Sequence, residues 1–191
     1  MSSLDNPGTT VTKPKYLAHV VLSTTRDNFA TMVQFYKTFL SAHASFENNF
    51  ISFLTYDFEH HRIAIVAVPE AVPKAPNATG LRHIAFGFNS LNDLAMAYLQ
   101  RKAHGILPVR CLNHGVTTSL YYRDPDGNDL ETQVDNFDTV PEMIEYMASP
   151  AFEENPIGVN FDPEELVRRL KSGEPDVSIK KRPDIGKRTN L

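Results

Sequence analysis

The chain runs through the same succession of elements twice, and each pass opens on an apolar stretch that carries a histidine. Residues 16–22, YLAHVVL, hold β-branched and large apolar side chains and predict a buried strand. A helix is expected from Asp27, because Phe29, Met32, Val33, Tyr36 and Phe39 recur at three- and four-residue spacing and make one apolar face. Strands are expected at 42–47, 50–56 and 61–68, followed by a loop over 69–80 in which Pro69, Pro73 and Pro76 exclude helix and central strand. The order then restarts. Residues 81–88, LRHIAFGF, predict a second strand with a histidine in its middle; Leu91, Leu94, Ala95, Tyr98 and Leu99 mark a second helix closed near Gly105; strands follow at 108–112, 117–123 and 129–134. A repeat of this size predicts an α+β fold of two βαβββ modules, about 16–68 and 81–134, packed as a pair.

The outer parts of the chain have a different character. Residues 1–15 are polar and contain proline, as expected of a flexible arm without an apolar leader. Past the paired-module domain of 16–136, residues 137–191 form an extension with short helices. One is expected at 140–147. Another starts at Asp162, with Pro163 in its first position and two acids in its first turn, and ends near Gly173. Lys180, Lys181, Arg182, Lys187 and Arg188 make a basic tail, expected to be solvated and mobile.

Composition narrows the function. A net charge of −4 and a pI of about 6.0 give no electrostatic reason for a nucleic-acid partner. No apolar run is long enough to span a bilayer. The one cysteine, Cys111, excludes an internal disulfide and fits a reducing, cytoplasmic compartment.

His19 alone, or His83 alone, reads as a core histidine. Together they occupy the same place in two modules, and a pseudo-twofold pairing brings equivalent positions to one cavity. In the last strand, alternation puts Asp129, Glu131 and Gln133 on one face. A carboxylate on an inner face needs a partner, and a dication supplies one. Two histidines and one carboxylate form the open three-ligand set that suits non-haem Fe(II), with Mn(II) equally served by these ligand types. A structural zinc site more usually closes with a fourth protein ligand, often cysteine, and Cys111 has no second cysteine to join it.

Residues 114–131, HGVTTSLYYRDPDGNDLE, resemble the signature of type I extradiol ring-cleavage dioxygenases. That signature runs from a histidine through an apolar-Tyr pair, an acid-Pro step and a glycine to a glutamate. Here those positions are His114, Leu120-Tyr121, Asp124-Pro125, Gly127 and Glu131, with Leu112 as a mild departure from the residues favoured two before the histidine. Residues 55–66, TYDFEHHRIAIV, resemble the same family's segment with paired histidines. The resemblance covers roughly 16–137 and implies the vicinal-oxygen-chelate fold, with the two βαβββ modules forming a half-open barrel around a metal. It implies a metal held by His19, His83 and Glu131, an acid/base at His61 with His60 turned away, and Tyr121 and His114 as hydrogen-bonding groups beside the metal. The implied substrates are a small aromatic diol and O2. The long extension leaves room for a homo-oligomer.

Two other readings compete. A glyoxalase-type isomerase or thiol transferase of the same superfamily wants a fourth ligand in the first module, opposite Glu131, and His61 is one candidate. A binding protein that sequesters a small aromatic without turnover tends to lack the ligand triad. Phe46, Phe50, Phe53 and Phe86 are candidate pocket-lining residues.

Overall fold

The computed structural model describes residues 4–6, 8–75 and 78–188; Pro76 lies outside the described residues. Module one contains β1 (Val20–Thr24), α1 (Phe29–Leu40), β2 (His43–Glu47), β3 (Ile51–Thr55) and β4 (Ile63–Ala67). Module two contains β5 (His83–Gly87), α2 (Leu91–Ala103), β6 (Arg110–Asn113), β7 (Thr117–Arg123) and β8 (Asp129–Asp135). The extension adds α3 (Val140–Met147), α4 (Pro150–Glu154), β9 (Val159–Asn160), α5 (Pro163–Lys171) and α6 (Asp176–Lys180).

The repeat is visible in the sheets. One runs β1-β4-β3-β2; the other runs β5-β8-β7-β6 and is extended by β9. In each module the helix crosses over from the first strand, so the opening strand lies parallel to the last one. The neighbouring pairs are antiparallel. The sheets do not close into a barrel.

The helices form as their apolar periodicity requires. Phe29, Met32, Val33, Tyr36 and Phe39 of α1 are all buried. On α2 the buried set is Leu91, Leu94, Ala95, Tyr98 and Arg101, and the Ser90 side chain caps the helix by accepting from Asp93 N–H. Alternation along the strands sorts the rest. Leu130, Thr132 and Val134 of β8 are buried on the helix side with Phe86 of β5. Asp129, Glu131 and Gln133 take the other face, together with His83, Ala85 and Gly87.

Two cross-module contacts lock the pair. Tyr36, fully buried on α1, donates to Asp124 Oδ2 at 2.9 Å. The same carboxylate accepts from the N–H groups of Asp126 and Asn128 and from the Asn128 side chain, which fixes the DPDG turn. Gly127 closes that turn at φ 82°, a left-handed conformation that favours glycine. Arg101, 4% exposed, reaches from α2 to Phe39 O at the C-terminal end of α1, donating through Nε (2.9 Å) and Nη2 (2.8 Å). A cation there satisfies an orphan carbonyl and meets the negative end of the helix dipole.

Four expectations are corrected. His19 and His83 do not sit in mid-strand: His19 immediately precedes β1 and His83 opens β5. His60 is not turned away from His61, since the turn before β4 lacks strand alternation, and their Nδ1 atoms lie 2.5 Å apart. The basic tail, through Arg188, is docked: Arg182 donates to the carbonyls of Ala151 and Asn155, and Arg188 to that of Gly158. Phe86 packs against Phe39 and Tyr56 as a core residue, while Phe50 is 47% exposed.

Removing the buried hydroxyl that ties the modules should cost stability without removing apolar volume. Tyr36→Phe is expected to lower the unfolding free energy by about 1–3 kcal/mol, the worth of a hydrogen bond to a charged group. Urea denaturation with an unchanged m-value checks it.

Candidate metal site

Parallel pairing of β5 with β8 sets Ala85 opposite Glu131, with His83 two residues earlier on the same face. Glu131 is 4% exposed, and its Oε2 lies 3.0 Å from His83 Nε2. The row continues across the sheet. Glu131 is the register partner of Tyr121, and Tyr121 of Arg110. Tyr121 lies 2.9 Å from His114 Nε2, and the Arg110 guanidinium sits over the Tyr121 ring at 4.2 Å. Burial, then the charge and hydrogen bonding of Glu131, push the Tyr121 hydroxyl well above its ordinary pKa. His114 is held below the ordinary imidazole value, first by burial.

A second cluster forms around His61, which is 7% exposed. Its ring is stacked on Phe53 at 4.6 Å and tilted against His19 at 4.3 Å. The lead-in to β1 is pinned there by Arg62, which donates to Leu17 O and Ala18 O, while Val20 N–H returns a bond to Arg62 O. Burial, His19 and His60, in that order, lower the His61 pKa and favour the neutral ring.

The sequence-derived residues therefore fall into two groups. His83, Glu131, Tyr121 and His114 adjoin one another on sheet two; His19 and His61 adjoin each other at the edge of sheet one. Among the described residues no three His, Cys, Asp or Glu side chains stand close enough together to hold an ion. His19 lines a cavity of about 250 Å³ between the modules, together with Ile84, Ala85 and Phe86 of β5; His83, Glu131 and His61 are not part of that lining.

The donor chemistry fits a divalent ion. A buried carboxylate and an imidazole nitrogen already converge, a second imidazole, His19, lines a cavity that β5 also lines, and oxygen and nitrogen donors suit Fe(II) or Mn(II). Register adds a residue that sequence reading missed. His19 precedes Val21 by two residues, as His83 precedes Ala85; Val21 pairs with Ala64, as Ala85 pairs with Glu131. Ala64 therefore stands where a fourth ligand opposite Glu131 would stand. The same rule equates Phe53 with Tyr121 and Phe46 with Arg110. One module thus presents the apolar row Val21-Ala64-Phe53-Phe46, and the other the polar row Ala85-Glu131-Tyr121-Arg110. Only a strand register reveals this, although two-residue alternation from the histidines would have hinted at it.

The sequence pattern of the Glyoxalase/Bleomycin resistance protein/Dioxygenase superfamily matches residues 16–132. Biphenyl-2,3-diol 1,2-dioxygenase 2 of Rhodococcus globerulus is 47% identical over 163 residues, 85% of this chain and 84% of that protein. Biphenyl-2,3-diol 1,2-dioxygenase 3 of the same organism is 44% identical over 165 residues, 85% of this chain and 86% of that protein. Among solved structures, a glyoxalase/dioxygenase from Nostoc punctiforme aligns with a TM-score of 0.54 at 18% identity, covering 67% of this chain and 98% of that one. Lactoylglutathione lyase from Agrobacterium tumefaciens aligns with a TM-score of 0.51 at 17% identity, covering 64% and 96%. At those identities the structural likeness speaks for the fold.

If the converging donors form the metal site, the chain binds one divalent ion through them. Calorimetric titration of the metal-free protein with Mn(II) should show one site per chain, lost in His83→Ala and in Glu131→Ala. His114→Asn should keep that stoichiometry, with affinity changed by no more than about 10–100-fold, as for a group outside the ligand set.

Proposed function

The chain belongs to the glyoxalase/bleomycin resistance protein/dioxygenase superfamily, and we propose that within it His19, His83 and Glu131 hold one Fe(II), with Mn(II) as the alternative, for extradiol cleavage of an aromatic diol. The protein is an extradiol ring-cleavage dioxygenase, the activity named for both Rhodococcus relatives. The superfamily's extradiol dioxygenases are metal-dependent. The observation that carries the reading is Ala64. A glyoxalase-type isomerase or a thiol transferase wants a protein ligand opposite Glu131, and an alanine methyl ligates nothing. Three ligands leave the open positions that a bidentate diol and O2 require.

Bound iron would fix both diol oxygens and pass electron density from ring to O2. The residues of the chain do the rest. Glu131 is the single anion of the ligand set, so a diol bound as its monoanion balances a dication. His61, its pKa lowered first by burial, would take the proton that the diol loses and return it later in turnover. His114 and Tyr121 hydrogen-bond the substrate oxygens. Phe53 and Phe46, whose rings lie 5.8 Å apart, offer an apolar wall for the substrate's hydrocarbon side. The ring opens beside the diol, and both atoms of O2 enter the product.

We divide the chain accordingly: an arm of 1–15, the metal-binding domain of 16–136, and an extension of 137–191. No described helix is long and apolar enough to cross a membrane. Cys111 is buried, its thiol pushed up to about 12, and a lone reduced thiol fits the reducing cytoplasm that we propose as the enzyme's compartment.

The test is reconstitution. Protein purified without oxygen, loaded with Fe(II) and given a panel of catechols should take up O2 and yield a yellow ring-fission product. No uptake with any catechol, together with activation by Zn(II) or Ni(II) on a thiol substrate, would contradict the reading. His61→Phe should keep its iron and lose about 10²–10⁴-fold in turnover, the range for a lost acid/base; loss of the iron would make His61 a ligand.

A further inference from the structure

The polar row that crosses sheet two ends on a cation. Arg110 opens β6 and pairs in register with Tyr121, so it shares the face that carries Glu131 one strand further on. Its guanidinium carbon lies 4.2 Å from the centre of the Tyr121 ring. That ring is itself fixed: Tyr121 is 5% exposed, and the His83 and His114 rings meet it in T-shaped contacts at 5.7 and 6.0 Å. A guanidinium held over an aromatic face is anchored by its charge, and the contact uses none of its N–H groups. Those groups have no other taker. Arg62, Arg82 and Arg123 each face an aspartate, at 2.9, 3.8 and 2.9 Å. Arg110, by contrast, has among the described residues no carboxylate within ion-pair distance and no hydrogen-bond acceptor. The position equivalent to it in module one holds Phe46, so the apolar row supplies no acid either.

We propose that Arg110 determines specificity: its guanidinium takes a carboxylate borne on the ring of the diol, which makes the substrate a catechol with an acidic side arm. The placement of the diol beside Glu131 rests on the dioxygenase reading. Glu131 and a diol monoanion already balance the proposed dication, so Arg110 is the charge left over on this face. A carboxylate cancels that charge and occupies the unused N–H groups in a bidentate fork, a geometry that a guanidinium offers and an ammonium does not. The reach is suitable. Neighbouring strands lie about 4.8 Å apart, so Arg110 stands about 10 Å across the sheet from Glu131, with Tyr121 between them. An aromatic ring bound at the Glu131 end and carrying a short acidic arm spans that distance, and a bare catechol does not.

The test compares paired substrates. Iron-loaded wild type is given dihydroxyphenylacetates and dihydroxyphenylpropionates, each beside the alkyl catechol of matching length and ring position. The acid should have the higher kcat/KM by about 10–100-fold, the range for hydrogen bonds to a charged group. That ratio should fall as ionic strength rises. Arg110→Gln should bring the ratio to about one, chiefly through a higher KM for the acid, and Arg110→Lys should keep part of it. The ratio cancels any loss that a shifted Tyr121 imposes on both substrates alike. Without oxygen, calorimetric titration of the Fe(II)-loaded protein should give the same preference in Kd, with no turnover. An alkyl catechol taken as well as its acid by the wild type, or a preference for the acid that survives Arg110→Gln, would overturn the assignment. Oxygen uptake with alkyl catechols alone would do so while leaving the dioxygenase reading intact. Uptake with no catechol would overturn that reading instead, and the Kd of the acid would still decide for or against Arg110.

Discussion

Glu131 is a buried carboxylate on the face of a sheet, and that placement has to be compensated. Everything around it can be read as compensation. His83 supplies an imidazole nitrogen at 3.0 Å, Tyr121 lies opposite in register, and His114 backs Tyr121 at 2.9 Å. The parallel pairing of β5 with β8 makes this possible, because it sets Glu131 beside the small Ala85 with the His83 ring on the same face. A bulkier residue at Ala85 would fill the space beside the carboxylate.

The two modules are copies in backbone and opposites in chemistry. Equivalent register rows carry Ala64, Phe53 and Phe46 in one and Glu131, Tyr121 and Arg110 in the other. The duplicated scaffold thus presents one polar row and one apolar row, to which the proposed function assigns ligation and substrate packing in turn. The acid/base candidate, His61, belongs to the apolar half, stacked on Phe53, where burial favours its neutral form. Tyr36 and Arg101 hold the halves together through a buried hydroxyl and a buried guanidinium, contacts that depend on tertiary placement.

Much of this was legible in the sequence because apolar periodicity is local. The face of α1 from Phe29 to Phe39 is as its spacing requires, and α3 and β7 keep the expected bounds. Tyr121 and Glu131 share the β7–β8 hairpin and His114 lies in the turn just before it, so a single linear stretch announced them. The misreadings have a common cause. His19 and His60 lie just outside strands, where a strand's end, not its pattern, decides which way a ring points. Arg182 and Arg188 read as solvated because a charged run looks alike whether it meets water or carbonyl oxygens. The elements α4, β9 and α6 are too short to carry a period. Ala64 has no signal of its own; its meaning comes from what its twin position holds.

The central claim is that the histidines of both modules and the carboxylate of one converge on a single ion. Anomalous diffraction at the iron edge, from crystals loaded with Fe(II) without oxygen, tests it most directly. The account predicts one anomalous peak per chain, within bonding distance of His19, His83 and Glu131 and with no fourth protein ligand. A peak bound also by His61, or one placed away from Glu131, would contradict it.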